Sequence, residues 1–353
     1  MTERVSSADR KEDNRDDSLQ RMLEAVKGQD QPGQADIHQP STAPARLYRL
    51  IDPSVDKSRA LPRDALAGAI TTDAPSPFKS KSSQLNPSQP IAPDACGLIK
   101  HPFLVPEPAK RLYLQPVDAA TLTPQTLAQE VQAEIERTLD SRLDAYPFCA
   151  WVISRAPLPR IMAHLQGQRV IRRSGSPKPA LLRYQDPRVF ERLAEILSPE
   201  QLNHLLGPIE AWWYIDHRRQ LCGIEMTPQP HPLPRTALGT HQWQALKRVG
   251  MVNRGMQRWR GLKRNDLWDV TPQEMDEALA EAERQGLTDE MDQLAFAQHA
   301  LLVPGFYRHP AIQGALPGRQ MPAGDDVSFC QAMKRLSAHD WYRIQHDREH
   351  RSS

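Results

Sequence analysis

The sequence predicts an α/β unit with a mixed sheet and covering helices, followed by a small all-helical unit and preceded by a disordered tail. Three observations predict this order. Between residues 45 and 226, short apolar or alternating runs typical of strands alternate with runs of helical period. From 241 to 347 the apolar residues recur only at helical steps. Residues 1–44 are rich in charged residues, Ser, Gln and Pro.

The tail is predicted to be disordered because it offers too little apolar surface to offset the entropy of ordering. One part of it has a helical pattern, in which Leu19, Met22, Leu23 and Val26 recur at helical steps. Two interpretations stay open for this part: a nascent helix without a partner, and a segment that docks on another surface.

The α/β unit is predicted to begin with an alternating strand at 46–52, which ends at an Asp-Pro pair. A helix over 61–70 precedes a flexible insertion at about 71–95, which is dominated by Ser, Pro, Lys and Thr. The further predicted elements are strands at 111–117, 148–154 and 169–173 and helices from Thr123-Pro124 to Leu139 and over 158–166.

The stretch 181–216 has the clearest local signals. A strand at 180–184 is followed by Asp186, a good helix N-cap, and by Pro187, which suits the first helical position. Ser198 and Gln201 have the spacing of a capping box for a second helix. That helix is predicted to end at Gly207-Pro208, before an aromatic strand at 209–215 that pairs with a strand at 222–226.

The helical unit is predicted to follow a proline-rich linker at 227–240. Its first helix includes the apolar positions Trp243 and Trp259, and Thr271-Pro272-Gln273-Glu274 starts the next one with a capping box. Further helices are predicted over 289–302 and 325–347.

The composition argues against a charge-driven partner. The chain has 353 residues, with 45 basic and 43 acidic side chains and a net charge of +2, so it offers no general attraction for nucleic acid or an anionic membrane. Its four cysteines are scattered, which is typical of reduced thiols. The N-terminus lacks the apolar region of a signal peptide, and no apolar run is long enough to span a bilayer. We therefore expect a cytoplasmic protein.

Several segments together resemble a known family. They are the strand Leu47 to Asp52, the run Trp151 to Ser154 and, above all, the segment Leu182 to Val189 with the later Leu206-Gly207-Pro208-Ile209 and Trp212. These segments are similar to the type VI secretion effector-chaperone, or adaptor, family, over about residues 46–216. The chain departs from the family pattern at Gln185, which stands between Tyr184 and Asp186, and in its long insertion at 71–95.

The resemblance implies a non-catalytic role. Such an adaptor binds a cognate effector in the cytoplasm and helps to load it on the VgrG spike protein. The implied partners are therefore the effector and VgrG, with no membrane and no cofactor.

The motif residues have two interpretations. Arg183, Tyr184, Asp186 and Arg188 are either part of a partner-binding groove or a strand-to-helix corner with a local ion pair. We favour the corner, because an Asp-Pro pair at a helix start has a structural reason of its own. Pro187, Gly207 and Pro208 are likewise predicted to be mainly structural.

The adjacent tryptophans of the aromatic strand are candidates for partner binding. Trp212 and Trp213 are adjacent, so on a strand they face opposite sides, and at most one would belong to the core of a one-sided sheet. The other is a candidate anchor for a partner, because Trp is a preferred hot-spot residue. The second interpretation, which we favour, is a role in the core or in packing between the two units.

The segment 243–264 has seven basic residues, among them Arg254 and Arg258, no acid, and Trp243 and Trp259 between them. This pattern resembles a nucleic-acid-binding helix, which is our alternative function. A second interpretation is local, because 269–292 contains nine acids and one base, and two helices of opposite charge can pack together. An acidic effector surface would also suit the basic segment.

No catalytic or metal-binding pattern is evident. The sequence lacks GxSxG, HExxH, a phosphate-binding loop and a GxGxxG after a strand. His346 and His350 have a two-ligand spacing, but in a polar terminal segment this favours solvated side chains over a zinc site. We therefore expect no enzyme activity and no metal.

Overall fold

A computed structural model of the chain describes residues 7–27, 44–54, 59, 65, 69–71, 95–104, 111–118, 121–138, 146–172, 179–227, 238–262, 269–314, 316 and 328–346. The chain divides into two units, Met1–Gly239 and Thr240–Ser353. The first is the α/β unit and the second is the helical unit. The fold class predicted from the sequence is confirmed for both.

The α/β unit is built on a seven-stranded sheet of order β2-β3-β4-β1-β5-β8-β9. β2 and β3 are parallel and the other neighbours are antiparallel, so the sheet is mixed, as predicted. The strands of this sheet are β1 (Arg46–Ile51), β2 (Ile70–Thr71), β3 (Gly97–Ile99), β4 (Leu112–Val117), β5 (Phe148–Ser154), β8 (Ala211–Ile215) and β9 (Leu221–Glu225).

Two further strands, β6 (Val170–Arg172) and β7 (Pro179–Leu181), pair with each other in a separate two-stranded sheet. The sequence placed a strand over 180–184, but β7 ends at Leu181, and Tyr184 lies in a turn. The difference has a local cause, since the Asp186 N–H donates to the Arg183 carbonyl at 3.0 Å and closes a turn before the helix begins.

Helices cover both faces of the main sheet, and this explains why every residue of β5 and of β8 is buried. On one face, apolar residues of α1 and α2 join Trp151 and Trp213 in one core cluster. On the other face, Phe190 stacks on Trp212 at 4.8 Å between ring centroids. The helices of this unit are α1 (Ser7–Lys27), α2 (Pro124–Arg137), α3 (Leu158–Gln168), α4 (Pro187–Ile196) and α5 (Pro199–Leu206).

Helix α1 corrects part of the prediction for residues 1–44. Its residues Leu19, Met22, Leu23 and Val26 are buried in the sheet core, so this segment is an ordered element where we expected disorder. Composition misled because the apolar side chains are few, yet they lie on one side of the helix and have a sheet face to cover. Residues 28–43 lie outside the described part of the chain.

The predicted helix starts are confirmed. Asp186 accepts a hydrogen bond from the Arg188 backbone N–H at 3.1 Å, and Pro187 is the first residue of α4. At α5, Ser198 Oγ accepts from the Gln201 N–H and Gln201 Oε1 accepts from the Ser198 N–H, which is a full capping box.

The helical unit begins with the long helix α6, which contains five of the seven basic residues of the segment 243–264. The described part of this unit has two apolar clusters. One is centred on Trp259, Met275 and Leu279, and the other on Phe296, Phe306 and Phe329. The helices are α6 (Thr240–Gly261), α7 (Pro272–Arg284), α8 (Glu290–Leu302), a 3-10 turn (Phe306–Arg308), α9 (Pro310–Gln313), α10 (Phe329–Arg335) and α11 (Ala338–His346).

Some predicted segments lie wholly or mostly outside the described residues. They include most of the helix expected over 61–70, the insertion at 71–95 and the linker at 227–240.

Candidate functional site

The motif residues Asp186, Pro187 and Arg188 form the corner that starts α4. The guanidinium of Arg188 donates to both carboxylate oxygens of Asp186, at 3.0 and 2.8 Å, and it lies 5.0 Å above the ring of Tyr146. Asp186 is buried and also caps the helix. These contacts hold the corner together and leave the Asp186 carboxylate engaged within the fold.

Tyr184, Gly207 and Pro208 also make internal contacts. The buried Tyr184 hydroxyl donates to the Leu165 carbonyl at 2.7 Å, and burial raises its pKa. Gly207 has a φ of +59°, and a Cβ there would lie 2.2 Å from the His164 ring. The Pro208 carbonyl accepts from Ser154 Oγ at 2.6 Å. Each of these residues therefore has a structural reason to be where it is.

Neither Trp212 nor Trp213 is available to a partner, because each is fully buried. We expected one of them to be outside the core, and this expectation was wrong. The reasoning assumed a sheet with one covered face, whereas helices cover both faces of this one. Trp213 lies in the core shared with α1, and the guanidinium of Arg21 is 5.6 Å from its ring.

In the helical unit, the basic helix α6 is paired with acidic side chains. Arg248 donates to Asp276 at 2.7 Å and to Glu283 at 3.0 Å, and Arg254 contacts Glu290 at 2.7 Å. Two of the basic residues thus contact α7 and α8, as the local interpretation of the charge pattern expected.

The other candidates on α6 differ in their exposure. Trp259 is buried in the core of the helical unit, whereas Trp243 is half-buried. Nη2 of Arg258 lies 2.9 Å from the Met291 sulfur. Trp259 therefore serves packing, and the aromatic interleaving that suggested nucleic acid is only partly present at the surface.

A polar cleft of about 300 Å³ lies beside the motif in the α/β unit, and we call it the arginine cleft. Antiparallel pairing brings the end of β3 beside the start of β4, since Ile99 is opposite Leu112. Asp52, which follows β1, and the turn between β7 and α4 complete the walls. Its lining residues are Asp52, Ser54, Ile99, His101, Leu104, Arg111, Leu112, Arg169, Leu181, Arg183 and Gln185.

Among the described lining residues, Asp52 is the one carboxylate, and its oxygens already have partners. Oδ1 accepts from the Ser54 N–H at 3.1 Å and from the Ser54 hydroxyl. Oδ2 accepts a long hydrogen bond of 3.5 Å from Gln185 Nε2. The described lining also includes three arginines, so its cationic side chains outnumber its carboxylates.

His101 is expected to be a neutral donor in this cleft. Its Nδ1 accepts from the backbone N–H groups of Phe103 at 3.2 Å and of Leu104 at 3.0 Å, so the ring proton is on Nε2. Burial, and then the charge of Arg169, lowers the pKa of His101.

Sequence reasoning found Arg183 but missed Asp52, His101, Arg111 and Arg169 as parts of a site. They come from four separated segments, and no spacing rule joins them.

One other cluster has the composition of a metal site. One ligand atom each from Glu191, Asp216 and His217 lie within 4.8 Å of one another. Hydrogen bonds within the fold account for this cluster. Glu191 of α4 accepts from the backbone N–H and the ring of His217, and Asp216 Oδ1 accepts from the N–H groups of Arg218 and Gln220 in the turn between β8 and β9. Burial is the main cause that raises the pKa of Asp216.

The buried thiol of Cys149 and the half-buried thiol of Cys222 are poorly suited to nucleophilic chemistry. Burial raises the pKa of Cys149, and burial followed by the charge of Asp216 raises the pKa of Cys222 to about 12. Both are thus expected to be protonated at neutral pH, and the thiolate is the reactive form.

The fold and the cleft together define an α/β protein with a two-sided mixed sheet, a polar cleft at one sheet edge and a separate helical unit. Residues 105–204 match the model of a family described as Domain of unknown function (DUF4123). The match covers less than a third of the chain, from just before β4 into α5. It includes the motif Arg183 to Arg188 and the cleft residues Arg111 and Arg169.

Neither the curated proteins nor the solved structures include a significant match to this chain. Among the described helices, we find none that combines the length and the apolar character needed to cross a membrane.

Proposed function

We propose that this chain is a non-catalytic adaptor that binds a type VI secretion effector in the cytoplasm and helps to load it on the VgrG spike. The observation that carries the proposal is the family match over residues 105–204, because it coincides with the segment that resembles the adaptor family. The same segment contributes three arginines and Gln185 to a cleft large enough to hold part of another molecule.

The chemistry of the chain also favours a binding role. The sequence has no nucleophile motif and no phosphate-binding loop, and the Asp186 and Arg188 side chains of the motif are engaged with each other in the corner of the fold. An adaptor needs a rigid framework with a partner surface, and both faces of this sheet are covered, so partners would meet loops, helices and the cleft.

The alternative function, nucleic-acid binding through the basic helix, has less support. Arg248 and Arg254 contact acids of the same unit, and Trp259 is buried. A nucleic-acid surface needs cations and aromatic faces that are open to the ligand.

Co-purification tests the proposal. The full chain is expressed with the effector and the VgrG protein encoded next to it, and the complex is isolated through a tag on the chain. We expect a 1:1 complex with the effector and weaker retention of VgrG. A deletion strain should lose delivery of that effector, while a second effector of the same secretion system is still delivered.

Normal effector delivery in the deletion strain, with neither protein retained by the chain, would refute the proposal. Loss of delivery of every effector would point to a part of the secretion machinery and would also refute the specific adaptor role.

A further inference from the structure

The arginine cleft has three features that no structural role of the motif explains. Among its described residues, cationic side chains outnumber carboxylates, two buried polar atoms have no hydrogen-bond partner, and exposed apolar side chains border the cleft. Each feature restricts the kind of ligand that would fit.

Cationic donors come from Arg169 and Arg183, and a neutral His101 adds an N–H donor. Arg169 is only 4% exposed, and one of its guanidinium N–H groups donates to the Lys100 carbonyl at 3.3 Å. Arginine donors in a partly desolvated cleft favour a carboxylate or phosphate oxyanion, since charge-assisted hydrogen bonds are the stronger kind.

Two buried polar atoms lack partners among the described residues. They are Nε of Arg169 and Oε1 of Gln185, whose side chain belongs to a residue that is 2% exposed. The orientation of the Gln185 amide follows from Asp52, because the ionised carboxylate accepts only and so takes the Nε2 side. Oε1 is left as an acceptor, and a buried acceptor without a donor is costly.

The mouth of the cleft is apolar. Leu104 lines it and is 64% exposed, and its neighbour Phe103 is 44% exposed. Within the described part of the chain, only four large hydrophobic residues are exposed, and these two are adjacent. A small inorganic anion would use the arginines but would leave these side chains uncovered.

We propose that the arginine cleft binds a polypeptide segment in which an acidic residue is flanked by apolar ones. The carboxylate takes the donors of the arginines, a backbone N–H of the segment donates to Gln185 Oε1, and the flanking side chains cover Phe103 and Leu104. A volume of about 300 Å³ suits one or two residues of such a segment. The inference does not depend on the secretion role.

Peptide binding to the full chain tests this inference. The probe is a short fluorescent peptide of glycines with a central leucine-glutamate-leucine, amidated at its end, and its binding is followed by fluorescence anisotropy. A matched peptide has glutamine in place of glutamate. We expect saturable binding of the acidic peptide and at least about tenfold weaker binding of the glutamine peptide.

Three variants locate the site. Arg183→Gln should weaken binding of the acidic peptide about tenfold. Gln185→Leu should weaken it as well, without a change in net charge. Arg172→Gln removes the same charge from an exposed residue of β6 that does not line the cleft, and it should bind like the wild type. Thermal melting shows that each variant is folded.

Four results would overturn the inference. They are no saturable binding by the wild type, equal binding of the two peptides, an equal loss in the Arg172→Gln and Arg183→Gln variants, and binding of inorganic phosphate at the cleft without binding of the peptide. The last result would identify a small-anion site. None of these results bears on the effector co-purification, so the two proposals fail separately.

Discussion

Trp212 and Trp213 are neighbours in strand β8, yet their side chains lie in separate cores on opposite faces of the sheet. Trp212 stacks on Phe190 at 4.8 Å, and Trp213 packs among the apolar residues of α1 and α2. Both are fully buried, so adjacent residues connect the two layers of helices through one strand.

The tryptophan pair should therefore act on stability. We expect Trp212→Ala and Trp213→Ala each to lower the free energy of unfolding by about 3–5 kcal/mol, as is typical of large buried side chains. Urea unfolding followed by circular dichroism measures this. A variant of either residue that keeps its stability would show that this side chain is not part of the core.

Helix α1 should be an integral part of the α/β unit. Met22 is fully buried on the sheet, so Met22→Ala should cost about 2–5 kcal/mol. Glu24→Ala, an exposed position of the same helix, should change stability by no more than about 0.5 kcal/mol. Hydrogen exchange provides a second measurement, and rapid exchange throughout α1 would contradict its docking on the sheet.

Two glycines should respond to alanine in opposite directions. Gly207 has a φ of +59° and faces the His164 ring, so Gly207→Ala should cost about 1–2 kcal/mol from the backbone alone. Gly167 is in helix α3 with no atom near its missing Cβ, so Gly167→Ala should stabilise by about 0.5–1 kcal/mol. The denaturant concentration at the unfolding midpoint should fall for Gly207→Ala and rise for Gly167→Ala. A shift of the midpoint in the same direction in both variants would contradict the prediction.

Arg248 and Arg254 should differ in their effect on the helical unit. Arg248 and Asp276 have side chains about one-tenth exposed, so Arg248→Gln should lower stability by about 1–3 kcal/mol. Arg254 and Glu290 are half exposed, so Arg254→Gln should change it by less than about 1 kcal/mol. Both variants remove one positive charge, so urea unfolding of the two compares a buried with an exposed ion pair at equal net charge. A similar loss of unfolding free energy in both variants would mean that net charge, and not burial, determines the effect.

Stability should depend on pH through His217. Burial lowers the pKa of His217, but its hydrogen bond to Glu191 and the charge of that carboxylate outweigh burial, and the net pKa is above 6.5. A raised pKa means that the folded state holds the proton more tightly. The stabilisation is therefore fully present below about pH 6.5 and is lost as pH rises through the folded-state pKa.

The comparison of wild type with His217→Gln isolates this effect, since burial lowers the pKa of His164 and opposes it. Unfolding free energies measured from pH 5 to about pH 9 should show the largest difference between the two proteins at the acidic end. Parallel pH profiles would contradict the predicted coupling between His217 and Glu191.

Local signals in the sequence were sufficient for the starts of helices and for most strands. The Asp186 cap and the Ser198–Gln201 capping box were predicted because their hydrogen bonds join residues two or three positions apart. Runs such as Phe148 to Ser154 were predicted as strands because burial on two faces requires continuous apolar sequence.

Contacts between distant segments could not be predicted in this way. The burial of Met22 depends on a sheet face whose residues lie far along the chain, from Leu47 to Leu221. The burial of both Trp212 and Trp213 depends on helices that cover both faces of the sheet. The arginine cleft depends on the register that places the end of β3 beside the start of β4. The spacing of residues in the sequence predicts interactions within one turn of a helix or within one strand. Which distant side chains come into contact is decided by strand pairing and helix packing in the tertiary structure.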